Sequence, residues 1–384
     1  MRIVCTGGGS GGHIYPGIAV ADELRALCAA QQRECQLFWI GNKSGIDKQI
    51  VEKNLVSVGG SIDAFYGIPC GKLRRYLSLK NIADFFRFIA GIIKSFFLLK
   101  KLKPDCLFSK GGFVSVPPCL AARFLHIPYY THECDCTPGL ATRINSKGAR
   151  GVFVSYDQTV SFFSKEIAAR CTVTGNPVRP VFYVNSSEAG KAFLSLPQKT
   201  EKPVLLVMGG SLGARQLNNL VVQNLEWLTQ RFIVVHQTGA AFAKENPELM
   251  SRSSDSYKPY DFIYEQMPSV IQAADVILSR SGANSLWECA VCAKPMLLVP
   301  LCGSGTRGDQ VDNARYFVDK NAALALIGEE ADDQHLRDSL EKLSDAHVRK
   351  NLSEACERLC QSLSKEGRPA QTIAKLIAHG EANE

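Results

Sequence analysis

Two apolar, strand-like runs each end in a glycine-rich loop, and the two stand about half a chain apart. Arg2–Thr6 runs into GGGSGGH (Gly7–His13), and PVLLVM (203–208) runs into GGSLGA (Gly209–Ala214). A strand, a glycine loop and a helix together present bare backbone N–H groups and a helix N-terminus to an anion. One such loop is a weak signal. Two of them, each opening its own half of the chain, predict an α/β protein of two Rossmann-like, doubly wound parallel-sheet domains facing each other across a cleft. They also point to chemistry on a phosphorylated ligand.

The length of 384 residues exceeds one ordinary core and fits two domains of about 180 residues each. The 14 cysteines are scattered, several of them in apolar runs, where Cys acts as a small buried hydrophobe. Strand-like residues begin at Arg2, which leaves no place for a secretory signal and predicts free thiols in a reducing cytosol. Cys289 and Cys292 form a CxxC without a second pair nearby, and they read as two cysteines on one helix rather than a metal or redox site. No metal and no cofactor is expected.

The net charge is +7, and its distribution says more than its size. Between Lys72 and Lys103 stand nine basic residues and one acid, Asp84, a local excess of +8 that leaves the rest of the chain near neutral. A general nucleic-acid binder spreads its basic surface more widely, so nucleic acid is not an expected partner.

Strands are predicted at Ile3–Thr6, Leu37–Ile40, Cys106–Ser109, Pro128–Thr131, Val152–Ser155 and Cys171–Thr174. In the second half they are predicted at Val204–Met208, Ile233–His236, Phe262–Tyr264, Val276–Ser279, Met296–Pro300 and Ala323–Ile327. Helical patterns fill the gaps, among them Gly17–Ala30 with Pro16 at its start. This alternation implies parallel sheets covered on both faces. The proline-flanked segment Gly175–Pro180 makes a stiff connector suited to a hinge. Domain boundaries follow at 1–178 and 179–363, and the last stretch, from about Glu330, reads as helical and charged.

Ligands of open α/β sheets sit at the carboxyl ends of strands, and the polar residues cluster there. His13 ends the first loop at the mouth of a helix, where the helix dipole disfavours the imidazolium and leaves a neutral ring able to take a proton. His132-Glu133-Cys134-Asp135 follows another strand. Its Glu-x-Asp spacing is compatible with a metal, but glycine loops that hold phosphate do not require one. Arg179 places a cation at the connector, suited to a diphosphate, or to a surface ion pair. Ser211 can add its hydroxyl to the N–H groups of the second loop. Val276–Pro300 is the richest stretch: a buried strand ends in Ser279-Arg280-Ser281-Gly282-Ala283, and Glu288 lies inside the following helix, where one carboxylate can accept from both hydroxyls of a ribose. Asp309 and Gln310, in the next loop, are candidates for bonding a sugar.

The basic segment has an unusual helical pattern. Arg87, Lys94 and Lys101 recur every seven residues, with Asp84 and Gly91 on the same stripe, while the remaining positions are nearly all apolar. That is more apolar surface than a sheet-covering helix needs. Interior charges argue against a spanning helix. A helix lying on an anionic membrane surface fits, through the Lys72–Lys103 segment; a buried helix is the alternative.

GGGSGGH with Pro16-Gly17, KGGFVSVPPCLAA (Lys110–Ala122), His132-Glu133, GNPVR, GGSLGA and RSGA with Glu288 occur in this order, and together they resemble the MurG family of peptidoglycan glycosyltransferases. The resemblance implies a GT-B fold and inverting, metal-independent transfer of N-acetylglucosamine from UDP-GlcNAc to the 4-hydroxyl of the muramoyl sugar on undecaprenyl diphosphate, converting lipid I to lipid II. It implies Ser10, Gly11 and Gly12 at the first loop's ligand, with His13 or Asp135 as base. Arg179 and Ser211 would meet donor phosphate, Ile263 the uracil, and Gln310, beside Asp309, the sugar. Ala283, Asn284, Ser285, Leu286, Trp287 and Glu288 would line the nucleotide, with Glu288 on the ribose. It also implies a final helix of about 364–384 packing back on the first domain, and a peripheral place on the cytoplasmic face of the inner membrane, beside the cell-wall synthesis and division machinery. The family usually has His-Glu-Gln-Asn where this chain has His132-Glu133-Cys134-Asp135, and a glutamine pair where it has Asp309-Gln310. A UDP-GlcNAc 2-epimerase shares the two-domain fold and is the competing reading.

Overall fold

The computed structural model describes residues 1–71, 79–184, 186–210, 213–303, 306–363 and 367–382. The chain divides into two compact units, one of Met1–Arg179 with Leu363–Glu384 and one of Pro180–Ser362.

The first unit holds β1 (Arg2–Thr6), β2 (Gln36–Asn42), β3 (Ala64–Ile68), β4 (Cys106–Ser109), β5 (Tyr129–Glu133), β6 (Gly151–Val154) and β7 (Cys171–Val173). They form one seven-stranded sheet in the order β3-β2-β1-β4-β5-β6-β7, with every pair parallel. The second unit holds β8 (Val204–Met208), β9 (Ile233–Gln237), β10 (Tyr257–Tyr260), β11 (Val276–Ser279), β12 (Met296–Leu298) and β13 (Leu324–Ala325). Its sheet runs β10-β9-β8-β11-β12-β13, again parallel throughout. The two orders follow one rule. The chain winds outward from its first strand in one direction, then returns beside that strand and winds in the other. Such a reversal leaves a crevice at the strand's carboxyl end. β1 and β8 are those first strands, and each runs directly into its glycine loop.

Burial follows the parallel arrangement. β8 is buried along its whole length, as an apolar strand with both faces covered must be. In the first unit one face packs Ile3, Cys5, Trp39 and Phe108 under the helices Gly11–Ala30 and Pro369–Ala382. The other face packs Val4, Ile40, Leu99, Leu107 and Val152.

Three expectations are corrected. The helix expected from Gly17 starts at Gly11, directly after the loop, and Pro16 lies inside it, where its missing N–H removes one intrahelical bond. Phe262–Tyr264 is not a strand; the edge strand is Tyr257–Tyr260. The chain turns at Asp261, whose carboxylate accepts from Phe262 N at 2.7 Å, and Phe262 and Tyr264 are exposed. β3 was not anticipated. It is an edge strand of mostly half-buried residues, AFYGI, with neither a continuous apolar run nor a clean alternation.

The helix Leu79–Leu102 does not carry the polar stripe as a single solvent face. Asp84, Gly91 and Ser95 are buried, with Leu99 and Leu102. Ile82, Phe85, Phe86, Ile93 and Phe97 face outward, each more than half exposed, with Phe86 at 66% and Phe97 at 65%. Among the described residues no helix is long and apolar enough to cross a membrane. The basic residues Lys72, Arg74 and Arg75 lie outside the described residues.

Candidate functional site

In the first unit, Ser10 is extended (φ −158°) and the helix starts at Gly11, with His13 in its first turn donating its backbone N–H to Ser10 O at 3.1 Å. Asp47, only 1% exposed, anchors the loop: Oδ1 accepts from Gly9 N at 2.9 Å and Oδ2 from Asn42 N at 3.0 Å. This carboxylate ties the glycine loop to the end of β2. Burial raises its pKa, against the lowering effect of those N–H donors.

A second glycine pair, Gly111-Gly112, follows β4 and closes on the first loop. Gly112 has φ +76°, and a Cβ there would stand 2.5 Å from Gly8 O and 2.8 Å from His13 Cδ2. Only glycine permits this conformation and this approach together. The His13 ring therefore lies against the Gly111-Gly112 segment that follows β4.

Glu133 ends β5 and organises the turn after it. Oε1 accepts from Cys134 N at 2.9 Å and Asp135 N at 3.0 Å, and Oε2 accepts from Gly139 N at 2.9 Å. Possible metal-ligating atoms of Glu133, Cys134 and Asp135 lie within 4.8 Å of one another, but both Glu133 oxygens are already committed to backbone N–H groups. Asp135 is half-buried beside this turn. His132 is fully buried, and its Nε2 lies 3.1 Å from Gly175 O. A carbonyl only accepts, so Nε2 carries the proton. Burial first, and the charge of Lys110 second, push the His132 pKa well below its ordinary value. Arg179 follows on the connector, its guanidinium 4.9 Å from the centre of the Tyr15 ring.

In the second unit, a cavity of about 610 Å³ opens at the carboxyl ends of β8 and β11. It is within the usual range for a small-molecule site. The glycine loop forms one wall through Gly209, Gly210 and Gly213, and Arg280, Ser285 and Gln310 form others. Ser211 lies outside the described residues. Arg280 is the residue that the sequence pattern did not single out. Its Nη1 donates to Gln216 Oε1 and Val299 O, both at 3.3 Å, and among the described residues it has no carboxylate partner. Burial lowers its pKa, yet an arginine remains cationic. The available signal was its position directly after a buried strand that adjoins the glycine-loop strand.

Gln310 is fixed at both ends: Oε1 accepts from Leu301 N at 2.9 Å and its carbonyl accepts from Ser281 Oγ at 2.7 Å. Its side-chain NH₂ can still donate. Asp309 pairs with Arg307 at 3.1 Å, which offsets the negative charge it brings. The helix Ala283–Val291 follows β11. Asn284, Ser285 and Glu288 are half-buried, whereas Leu286 and Trp287 point into the core, where Trp287 meets Phe317 edge-on at 5.3 Å. Ile263 is buried, and its N–H donates to Gln237 Oε1 at 2.8 Å.

Residues 3–154 match the family model described as glycosyltransferase family 28 N-terminal domain, and residues 204–366 match the glycosyltransferase family 28 C-terminal domain. The UDP-N-acetylglucosamine–N-acetylmuramyl-(pentapeptide) pyrophosphoryl-undecaprenol N-acetylglucosamine transferase of Treponema denticola is 49% identical over 340 residues, covering 85% of this chain and 84% of that protein. The protein of the same description from Clostridium tetani is 36% identical, covering 89% of each. Among solved structures, Acinetobacter baumannii MurG superposes with a TM-score of 0.71 at 22% identity, covering 98% of this chain and 99% of the other. A UDP-GlcNAc 2-epimerase from Neisseria meningitidis superposes with 0.67 at 15% identity, covering 100% of both. The two structures share the GT-B fold with this chain.

Proposed function

The chain belongs to glycosyltransferase family 28, and from that membership we infer that it transfers N-acetylglucosamine from UDP-GlcNAc to the muramoyl 4-hydroxyl of a pentapeptide-bearing diphospho-undecaprenol. The observation that carries this reading is the 49% identity, over 85% of the chain, to a transferase of that description. The geometry of each unit supports it.

The second unit holds the donor. N–H groups of the second glycine loop, Ser211 and Arg280 bind the diphosphate, Glu288 binds the ribose, the Ile263 backbone meets the uracil, and Gln310 donates to the sugar; Arg179, the last residue of the first unit's main stretch, is a further candidate for donor phosphate. The first unit serves the acceptor, with Ser10, Gly11 and Gly12 at its anion and His13 or Asp135 taking the hydroxyl proton. The acceptor oxygen forms a bond to the anomeric carbon as the bond to the β-phosphate oxygen breaks, and that electron pair leaves on UDP. Configuration inverts. Fixed N–H donors and the Arg280 guanidinium stabilise the departing charge without a metal, so transfer is expected to persist in EDTA.

The outward Phe and Ile side chains of Leu79–Leu102, with Arg87, Lys94, Lys100 and Lys101 on the same helix, support a peripheral seat on an anionic membrane, where the acceptor resides.

Release of UDP should require a lipid I analogue, and the product should gain one N-acetylhexosamine. UDP-GlcNAc should outpace UDP-GalNAc and UDP-glucose. Conversion of UDP-GlcNAc without any acceptor would replace the transferase by an epimerase.

A further inference from the structure

Lys110 stands directly after β4, with its backbone N–H donating to Thr6 O at 2.8 Å. It is 1% exposed. It fits there because its neighbour at the end of β1 is Gly7: a Cβ on Gly7 would stand 3.2 Å from the Lys110 Cβ. On the other side, β4 pairs with β5 in a register that matches Ser109 to Thr131. The next residues along the two strands, Lys110 and His132, therefore share a face of the sheet.

Both side chains end in an atom without a hydrogen-bond partner among the described residues, Lys110 Nζ and His132 Nδ1. A buried ammonium in this condition is unusual and calls for an explanation. The two atoms are chemically complementary. His132 Nε2 carries the ring proton, since it faces the Gly175 carbonyl oxygen, so Nδ1 presents a lone pair. Lys110 Nζ is a donor only.

We propose that Lys110 is a positioning residue that, through one internal water, donates to His132 Nδ1 and so locks the Nε2–H tautomer that holds the Gly175 carbonyl and the connector leading to Arg179. The water would have one strong donor and one acceptor in protein, as buried waters require. The connector needs such a hold, because Gly175 sits at φ +75° and Arg179 reaches the Tyr15 ring only four positions later. Lys110 touches neither substrate in this arrangement, and it acts through His132.

The part of this proposal that concerns donor binding rests on Arg179 contacting the donor, and the test separates the two. The whole protein carrying Lys110→Met, and separately Lys110→Gln, is followed by ¹⁵N NMR of the His132 ring and by donor kinetics. In Lys110→Met, the Nδ1 resonance should move toward a mixture of tautomers, with donor KM rising about tenfold through misplacement of the connector and kcat nearly unchanged. Lys110→Gln keeps an N–H donor and should restore much of both. An unmoved His132 signal in both variants overturns the relay, and so does a protonated His132 ring, which would mark a bound anion instead. A shifted signal with unchanged KM overturns the positioning role, provided Arg179→Lys raises KM. If Arg179→Lys leaves KM unchanged, the donor assignment of Arg179 fails, while the NMR result still decides the relay.

Discussion

The guanidinium of Arg179 stacks over the ring of Tyr15 at 4.9 Å. Tyr15 belongs to the helix whose first turn carries His13. The cation of the connector is thus held by the same helix that presents the candidate base. A cation–π contact of this kind contributes roughly 0.5–2 kcal/mol. Tyr15→Leu should therefore raise donor KM by about 2- to 30-fold with little change in kcat. Initial-rate measurements over a range of UDP-GlcNAc check this, and an unchanged KM would separate Arg179 from the donor.

Arg280 lines the second unit's cavity, and among the described residues it has no acidic partner, so its charge is available to a phosphate. Arg280→Ala removes a charge-assisted bond worth about 1.5–3 kcal/mol, and UDP affinity should fall roughly 10- to 150-fold. Calorimetry with UDP alone reads this without an acceptor. Glu288→Gln should weaken UDP while leaving a uracil base analogue unaffected.

His13→Ala should lower kcat by about 10²- to 10⁴-fold if this ring is the base, with donor binding preserved. Asp135→Asn is the comparison. Should His13→Ala keep near-normal turnover while Asp135→Asn loses it, the base is the carboxylate.

Two histidines make the fold sensitive to acid. Burial and Lys110 hold His132 well below its usual value, and burial pushes His236 down to about 3. Below about 6.5 the unfolded chain protonates both rings while the native state keeps them neutral. The unfolded state then binds more protons, so stability is lost as pH falls below about 6.5, by roughly 1.4 kcal/mol per pH unit for His236 down to about 3, and in the same direction for His132. Urea melts between pH 7 and 5 should show this slope. His236→Asn should flatten it by one ring's share even though it loses the bonds to Tyr257 and Asn218.

Phe86 and Phe97 are exposed on the native surface, so Phe86→Ser with Phe97→Ser should leave the melting temperature nearly unchanged. Each ring inserted into a bilayer gains roughly 1.5–3 kcal/mol, and the double variant should lose at least about tenfold in flotation with anionic vesicles. Equal flotation of the variant and the parent would remove this helix from the membrane contact.

The alternation of strands and helices, the glycine loops and the apolar helix are local patterns. Apolar runs such as Val204–Met208 must be covered on both faces, and a loop such as Gly7–Gly12 has few uses besides a close approach to an anion. These signals lie within a few residues of one another, so the GT-B fold and the family could be read from the chain. What escaped were relations between distant residues. Asp47 meets Gly9 across 38 positions, and no period or spacing announces that pair. Arg280 was one residue in a polar run until β11 came to lie against β8 and turned it into the cavity. Lys110 looked like part of a glycine motif; only the pairing of β4 with β5 buries it beside His132. The outward turn of Phe86 and Phe97 was decided the same way, by Asp84, Gly91 and Ser95 packing inward. Sequence periodicity specifies which residues can share a face, but which face is buried depends on the partner surface that folding supplies.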